Sequence, residues 1–393
     1  MKVIQINDYY EGGGAEVVYR KTSDLLKSKN IDVINFDIRN LEKKNKITEP
    51  ISYIYSISSY KNLYKILVDK KPNIIHLHNF YHILSPSILN AIQKYKENFK
   101  CKVIMTVHDF HIICPNTGLI SYKKNDVKIC DRCLDRKNHR IIFQNCDKRG
   151  FKYSLLKGIR STLNYNLKRS LDIIDIFLTP SNFMKEKIKN IISEEKIIVL
   201  RNPIFDIEEI NKLKYTDPIE IKYDLVFAGR LSKEKGILQF IEFLNENKLK
   251  YKVAVVGDGE EFNNIKSYLD SNNLMNIELL GSKNHKETLE IIERSKALIL
   301  PSIWYENAPL SLIESYMINK PFFINPLGGM KEFAQIHINR PEISYINKKN
   351  FENLEETLNE YQFKSDESLK KVYSQEKYIH DLIKIYKGQI IKS

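Results

Sequence analysis

Residues 297–314, ALILPSIWYENAPLSLIE, decide the fold because they lead from a buried strand through a polar loop into a helix. Four aliphatic residues in succession, 297–300, predict a strand that is covered on both faces. Glu306 stands in the loop, and Asn307 is a suitable N-cap for a helix whose first turn tolerates Pro309. A strand that passes through a short loop into a helix is the repeating unit of parallel α/β sheets.

The same alternation of apolar strands and longer helices extends towards both termini and occurs twice. Strands are predicted at residues 2–6, 31–36, 73–77, 102–107, 176–179 and 197–200, and again at 224–228, 252–256, 277–280, 297–300 and 321–324. Helices are predicted between them, for example at 260–269 and 286–294. We therefore predict an α/β protein with two Rossmann-like domains that face each other across a cleft, where open α/β sheets bind ligands.

Two Asx-Pro pairs, Asn202-Pro203 and Asp217-Pro218, interrupt regular structure and predict a joint at residues 201–218. The predicted domains are residues 1–203, with a cysteine-rich insertion at about 111–150, and residues 204–368. A final helical stretch at about 369–393, strongest over 369–391, has no strand after it and is expected to pack back on the first domain.

The charge of the chain points to an anionic partner. Its 393 residues include 62 Lys and Arg against 49 Asp and Glu, a net charge of +13. Since the sequence has no block of six like charges and no recognisable nucleic-acid module, we expect no nucleic-acid partner. No apolar run approaches the roughly 18 residues of a spanning helix. The start, MKVIQIND, predicts a strand rather than a signal peptide, so a cytoplasmic protein is expected.

Two pairs of charged residues suggest a site for a sugar nucleotide. Glu306 and Glu314 are eight residues apart, and the helix N-terminus between them suits a phosphate. Arg230 and Lys235 lie in the loop AGRLSKEKG at 228–236, where a forked guanidinium and an ammonium suit a diphosphate. The alternatives are two glutamates on a helix surface and a solvated basic turn.

Together these motifs resemble glycosyltransferase family 4, a retaining family of the GT-B fold with many members in bacterial surface-polysaccharide synthesis. The E-x7-E motif at 306–314 and the G-R-x4-K-G loop at 229–236 carry the resemblance. Looser matches are the glycine-rich loop at 12–16, Thr-Val-His-Asp at 106–109, Gly-Asp-Gly-Glu at 257–260 and Gly-Gly-x-x-Glu at 328–332. One departure is Asn319, which stands where the family usually has glycine; asparagine is the next-best residue for a left-handed helix end.

The resemblance implies transfer of a sugar, with retention, from a nucleoside diphosphate donor of the UDP or GDP type to a glycan or lipid-linked acceptor. It implies same-face attack in which the departing phosphate takes the acceptor proton, and no cofactor for catalysis. His108 and Glu306 would be catalytic by orienting the sugar, while His76 and His78 are expected to pack or to support His108. The implied donor-binding residues are Gly13, Gly14, Arg230, Lys235, Gly257, Glu306, Asn307, Ala308, Pro309, Leu310 and Glu314.

Four of the five cysteines fall within the predicted insertion. Cys114, Cys130, Cys133 and Cys146 have the spacing C-x15-C-x2-C-x12-C, which suits a structural zinc site with four thiolate ligands. Four unliganded thiols in a loop are the alternative.

Residues 151–171, FKYSLLKGIRSTLNYNLKRSL, contain five basic residues and leucines or isoleucine at roughly helical spacing. A basic amphipathic helix can bind an anionic membrane surface, so peripheral association with the inner face of the plasma membrane is one expectation. A helix packed on the protein surface is the other.

Three further functions compete with transfer. A sugar-nucleotide epimerase of the same architecture is one, and a catalytically inactive nucleotide-sugar-binding protein is another. A basic nucleic-acid binder is the third and predicts steeply salt-dependent binding to DNA of any sequence.

Overall fold

The computed structural model describes residues 1–41, 49–123, 127–205 and 220–389. The chain divides into two compact units. Unit 1 comprises Met1–Asn202 and Gln375–Ser393, and unit 2 comprises Pro203–Ser374. Residues 206–218 of the predicted joint, and the end of the predicted final helix beyond residue 389, lie outside the described residues.

Unit 1 contains a parallel sheet. Its strands are β1 Lys2–Ile6, β2 Asp32–Phe36, β3 Ile74–Leu77, β4 Lys102–Thr106, β7 Ile176–Thr179 and β8 Ile197–Val199, in the spatial order β2-β1-β3-β4-β7-β8. The six predicted strands of this half are confirmed, each end within one residue. The predicted insertion also holds a short antiparallel pair that the sequence did not reveal, β5 Ile120–Ser121 and β6 Lys128–Ile129.

Helices follow the strands of unit 1 as the alternating pattern predicts. They are α1 Gly14–Ser28, α2 Glu49–Ile54, α3 Ile57–Lys70, α4 Ser87–Lys96, α5 Arg140–Gln144, α6 Phe151–Ser161 and α7 Asn182–Ile188. A π-helical stretch, Thr162–Leu167, follows α6 directly.

Unit 2 repeats this architecture with a smaller parallel sheet. Its strands are β9 Tyr223–Ala228, β10 Val253–Val256, β11 Ile277–Gly281, β12 Ser295–Leu300 and β13 Phe322–Ile324, in the order β11-β10-β9-β12-β13. Its helices are α8 Ile237–Glu246, α9 Phe262–Ser271, α10 His285–Glu293, α11 Leu310–Met317, α12 Gly328–His337, α13 Lys348–Glu352, α14 Leu354–Tyr361 and α15 Glu367–Lys370. The predicted strands and helices are confirmed within two residues, and Asn319 has the predicted left-handed backbone, with φ of +62°.

The predicted single helical stretch from residue 369 is wrong, because the chain breaks at Ser374. Residues up to Tyr373 end unit 2 in a short 3-10 turn, and α16, Gln375–Tyr386, belongs to unit 1. Tyr378, Leu382 and Tyr386 of α16 are buried in the core of unit 1. The Tyr378 hydroxyl lies 2.9 Å from Thr22 Oγ1.

The strand orders locate a ligand-binding edge in each unit. In unit 1 the chain starts at β1 and then adds strands on both sides of it, so the order reverses between β1 and β3. In unit 2 it reverses between β9 and β12. Open α/β sheets bind ligands outside the carboxyl ends of the strands at such switch points. Among the described residues, no helix is long and apolar enough to cross a membrane.

Candidate functional site

The loops at the switch point of unit 2 pack backbone against backbone through glycines. Gly236, with φ of +70°, lies so close to the loop after β12 that a Cβ would stand 2.1 Å from the Pro301 carbonyl oxygen. A Cβ on Gly257, with φ of +140°, would stand 1.8 Å from the Gly229 carbonyl oxygen. Since no side chain fits at these separations, this packing of the loops after β9, β10 and β12 requires glycine at both positions.

The buried carboxylate of Glu306 lies at the centre of these loops. Its side chain accepts three hydrogen bonds on Oε1, from Lys235 Nζ at 2.6 Å, Ser302 Oγ at 2.8 Å and Trp304 Nε1 at 2.8 Å. Burial raises the pKa of this carboxyl, but the Lys235 charge and the three hydrogen bonds outweigh burial, and the pKa is lowered. Glu306 is therefore a fixed anion at neutral pH.

The pairing of Glu306 with Lys235 joins two motifs that the resemblance assigned to different parts of the donor. Lys235 was expected to contact the diphosphate and Glu306 the sugar. An ammonium group has three donors, and the Glu306 contact uses one, so Lys235 can still donate to a phosphate oxygen. Ser302 and Trp304 lie in the motif stretch itself, but spacing alone gave no reason to assign them a role.

Arg230 follows the carboxyl end of β9 and is well exposed. Its Nη2 donates to Oε1 of the buried Glu234 at 3.3 Å, while 65% of the side chain stays accessible. The Glu234 contact orients the guanidinium through one of its nitrogens. The other nitrogens stay accessible to a phosphate group that binds from solution.

The predicted N-cap at Asn307 is wrong. Helix α11 begins at Leu310, and Pro309 is its N-cap, with φ of −65° and ψ of 123°. A residue before proline is driven away from the helical region, so Ala308 cannot start the helix and the loop runs longer than predicted. The loop is held instead by Gly329, whose N–H donates to the Glu306 carbonyl at 2.6 Å and whose Cβ position lies 1.7 Å from the Asn307 carbonyl oxygen.

Glu314, the second carboxylate of the motif, is held by a different helix. Its Oε1 accepts from Nε2 of His285, the first residue of α10, at 3.0 Å. No sequence pattern indicated a role for His285, although Asn284 before it is a recognisable N-cap that marks where α10 begins. The two carboxylates therefore have separate supports.

In unit 1 the glycine-rich loop ends at the N-terminus of α1, as predicted. Gly13 is the N-cap and Gly14 the first helical residue, and both are exposed. The N-cap glycine has no side chain, but the Glu16 carboxylate accepts hydrogen bonds from the backbone N–H groups of Gly13 and Glu16. An anionic ligand, which the sequence predicted for this loop, would compete with Glu16 for these amides.

His108, which is half-buried, lies beside the buried imidazoles of His76 and His78. Its Nε2 lies 2.8 Å from His78 Nδ1, and His76 bridges Tyr386 and Thr106 at 2.7 and 2.8 Å. Burial lowers the pKa of His108 to about 4 and that of His76 to about 3. His108 is therefore a neutral imidazole, suited to hydrogen bonding with a hydroxyl group rather than to pairing with an anion.

The four cysteines of the insertion are close enough to affect one another. Cys114, Cys133 and Cys146 are buried, and burial raises the pKa of Cys114 to about 11 and of Cys146 to about 12. The charges of neighbouring thiols raise the Cys146 pKa further. Within the described residues, however, no group of three or more His, Cys, Asp or Glu side chains is arranged to hold a metal ion. Metal binding by these cysteines therefore stays a prediction, which elemental analysis tests.

The predicted amphipathic helix over residues 151–171 is shorter and differently oriented. Helix α6 ends at Ser161, and two of the basic residues expected to face lipid, Lys157 and Arg160, are buried. The exposed face carries Phe151 and Tyr153, which are 52% and 42% exposed. Helical spacing predicted the amphipathicity, but not which face the protein covers.

Comparisons with known proteins agree with this architecture. Residues 213–370 match the family model of glycosyl transferases group 1. The chain is 24% identical over 360 residues to an uncharacterized 42.6 kDa protein in the cps region of Klebsiella pneumoniae, covering 89% of this chain and 82% of that protein. It is 27% identical over 286 residues to the UDP-Gal:alpha-D-GlcNAc-diphosphoundecaprenol alpha-1,3-galactosyltransferase of Escherichia coli, covering 71% and 64%.

A solved structure with the same architecture is the lipopolysaccharide outer core galactosyltransferase WaaB. It has a TM-score of 0.57 and 15% identity, with 99% of this chain and all of that chain covered. The predicted α/β fold class is confirmed, and the fold is GT-B. With the match over residues 213–370, these comparisons support a glycosyltransferase.

Proposed function

We propose that the protein transfers a sugar, with retention of anomeric configuration, from a nucleoside diphosphate donor to a glycan or lipid-linked acceptor in surface-polysaccharide synthesis. The observation that carries the proposal is the Lys235–Glu306 pair. It joins the basic loop after β9 to the acidic loop after β12 at the switch point of unit 2. The relatives support the substrate class, since one lies in a cps region and another uses UDP-Gal and a lipid diphosphate acceptor.

The charged residues of unit 2 are arranged so that they can bind the nucleoside diphosphate donor. In our proposal Arg230 and Lys235 bind the diphosphate, the loop of Glu306 to Leu310 binds the sugar, and Glu314 binds the ribose. The leaving group is a nucleoside diphosphate, so negative charge develops on its phosphate oxygens. Two cations that are already oriented stabilise this charge without reorganisation. The departing phosphate takes the acceptor proton.

Unit 1 supplies the acceptor side in this proposal. His108 is neutral, half-buried and in contact with His78, so it can hold a sugar hydroxyl in a fixed orientation. The glycine loop at Gly13 and Gly14 lets backbone approach a phosphate or a sugar. These roles are independent of any bound metal ion.

The first experiment is a thermal-shift measurement with UDP, GDP, ADP and CMP, each with and without EDTA. We expect one nucleoside diphosphate to stabilise the protein, with no effect of EDTA. Arg230→Ala should abolish the shift and reduce turnover by about 2–4 kcal/mol of transition-state stabilisation. Lys233→Ala, in the same loop, removes the same charge and should keep the shift. A folded protein that none of the nucleotides stabilises would contradict the proposal.

We further propose that unit 1 associates with an anionic membrane surface. The exposed aromatic residues Phe143, Phe151 and Tyr153, with Lys152 between the last two, support this partner. Flotation with phosphatidylglycerol vesicles at low salt should recover the wild-type protein, and Phe151→Ser should weaken the recovery. Equal recovery with phosphatidylcholine vesicles would count against an electrostatic contribution.

A further inference from the structure

The guanidinium of Arg160 in unit 1 is buried without an anionic partner among the described residues. Its side chain is fully buried, and Nη1 donates to the Tyr81 carbonyl at 2.7 Å. Nε and Nη2 have no hydrogen-bond partner in the described part of the chain. Burying a cation is costly unless an anion or hydrogen bonds compensate it. The position is therefore suited to a negatively charged ligand.

Two phenol hydroxyls beside Arg160 are buried in the same way. The guanidinium lies 4.4 Å from the ring centroid of Tyr53, and the hydroxyls of Tyr53 and Tyr165 have no partner among the described residues. Burial raises the pKa of both phenols, while the Arg160 charge opposes this increase, so both are close to the guanidinium. We call Tyr53, Arg160 and Tyr165 the Arg160 cluster.

Two carboxylates in this region, Asp8 and Asp109, have other partners. Asp8 accepts hydrogen bonds from the backbone N–H groups of residues 82–84 at 2.7, 2.9 and 2.8 Å. Asp109 accepts from the backbone N–H and Nδ1 of His111, both at 2.8 Å, and from the Tyr81 hydroxyl. Neither carboxylate forms an ion pair with Arg160, although both lie at the same end of the sheet.

Two further cations lie near Arg160 but share one carboxylate. Lys157, one turn before Arg160 on α6, pairs with Asp147 at 2.7 Å, and Arg149 pairs with the same carboxylate at 3.1 Å. Asp147 therefore serves two cations. Arg160 adds a third, and its charge is close enough to lower the pKa of Lys157.

The cluster lies where the fold binds ligands. Arg160 is bonded to Tyr81, which follows β3, and β3 forms one side of the switch point of unit 1. Asp109, which shares a hydrogen bond with Tyr81, directly follows His108. Tyr165 lies in the π-helical stretch after α6, and π-helical turns occur often at functional sites.

We propose that the Arg160 cluster binds a phosphoryl group of the acceptor. Nε and Nη2 form the edge of a guanidinium that pairs with two oxygens of an oxyanion, and these are the two unpartnered nitrogens. The hydroxyls of Tyr53 and Tyr165 can donate to the remaining oxygens. The inference rests on the proposed function only in taking the phosphorylated molecule to be the acceptor.

The test uses inorganic pyrophosphate as the probe, with EDTA present, in isothermal titration calorimetry. Because the loop of Arg230 in unit 2 is expected to bind pyrophosphate as well, the starting protein carries Arg230→Ala. Adding Arg160→Gln should weaken pyrophosphate binding by about tenfold or more. Adding Lys152→Gln, which removes an exposed positive charge from the same helix, should change it less than about twofold.

Equal binding by the Arg160→Gln and Lys152→Gln proteins would overturn the proposal. If Arg160→Gln does not fold, Tyr53→Phe and Tyr165→Phe replace it, because each removes only a hydroxyl that the fold does not use. Each should weaken pyrophosphate binding by about threefold or more. Unchanged affinity in both would equally overturn the proposal.

Two more titrations separate the source of the phosphate and the proposed function. If Arg160→Gln weakens binding to phosphatidylglycerol vesicles but not to pyrophosphate, the site is for a membrane headgroup and the acceptor assignment is overturned. Nucleotide binding is measured on the protein carrying Arg160→Gln alone, with Arg230 intact. Retained nucleotide binding with lost pyrophosphate binding supports two separate sites. A protein that binds pyrophosphate at Arg160 but no nucleotide would contradict the proposed function alone.

Discussion

Glu306 in unit 2 and Arg160 in unit 1 are both charged and buried near the switch point of their sheet, and they differ in how the fold compensates the charge. Glu306 in unit 2 receives three hydrogen bonds, one of them from the ammonium of Lys235. Arg160 in unit 1 donates one hydrogen bond to a neutral carbonyl and contacts the face of Tyr53. Both side chains are at least nine-tenths buried.

The difference indicates which charged side chains are held in position before a ligand binds. A compensated charge such as Glu306 is held in position and can orient a substrate without moving. An uncompensated charge such as Arg160 reduces the stability of the free protein and recovers that free energy when an anion binds.

The largest effect is expected from Gly329→Ala, because the new methyl group would stand 1.7 Å from the Asn307 carbonyl oxygen. We expect the free energy of unfolding of unit 2 to fall by more than about 4 kcal/mol, measured by urea denaturation. Gly13→Ala is the matched control in unit 1, since its Cβ would meet nothing closer than 3.8 Å. Equal losses for the two variants would contradict the tight packing of the unit 2 loops.

Lys235→Met removes the cation that compensates Glu306. We expect a loss of about 3 kcal/mol in the free energy of unfolding, because a buried carboxylate is left with only neutral donors. Glu306→Gln in the same protein should restore part of the loss, and Lys233→Met serves as the control for charge. If Lys233→Met costs as much as Lys235→Met, the ion pair is not what stabilises the loop.

The imidazole chain of unit 1 predicts a loss of stability in acid. The pKa of His76 is about 3 in the folded protein, so between pH 6.5 and about 4 only the unfolded chain binds this proton. His76 should therefore lower the free energy of unfolding by about 1.4 kcal/mol for each unit by which the pH falls in this range. Urea denaturation at pH 7 and pH 5 measures the slope. The His76→Gln protein should have a smaller slope than wild type, and an identical slope would contradict the buried neutral imidazole.

The smallest effect compares two buried tyrosines in unit 1. Tyr165 and Tyr378 are both 3% exposed, but only Tyr378 has a hydrogen-bonded hydroxyl, to Thr22 at 2.9 Å. Tyr378→Phe should cost about 1 kcal/mol, whereas Tyr165→Phe in the free protein should cost nothing or stabilise it. Urea denaturation of the two variants and the wild-type protein measures the difference. A loss in both variants would mean that the fold uses the Tyr165 hydroxyl.

Much of the fold could be predicted from the sequence because the strands are short, continuous aliphatic runs. The aliphatic run at 297–300 also predicted that Glu306 lies in the loop after a strand. Its pairing with Lys235 could not be predicted, because it depends on the packing of two loops that are 71 residues apart. Glycines 236 and 329 set that packing through close contacts that spacing does not reveal.

The burial of Arg160 could not be predicted from the sequence. Its charge and helical spacing allowed either a lipid-facing residue or part of a helix packed on the protein surface, and nothing in the local sequence decided between them. The residues that cover it, Tyr53 and Tyr81, come from distant segments, and Tyr81 is 79 residues away. Only the tertiary structure brings them together.

The most direct test of the central claim is a transfer assay with a panel of UDP- and GDP-sugars and lipid-diphosphate-linked N-acetylglucosamine as acceptor. We expect nucleoside diphosphate release coupled to a new glycosidic bond of the same anomeric configuration as the donor, determined by NMR. Lys235→Met should greatly reduce both. Epimerised donor formed without acceptor, or nucleotide binding with no transfer to any acceptor tested, would contradict the account and favour an epimerase or an inactive binding protein.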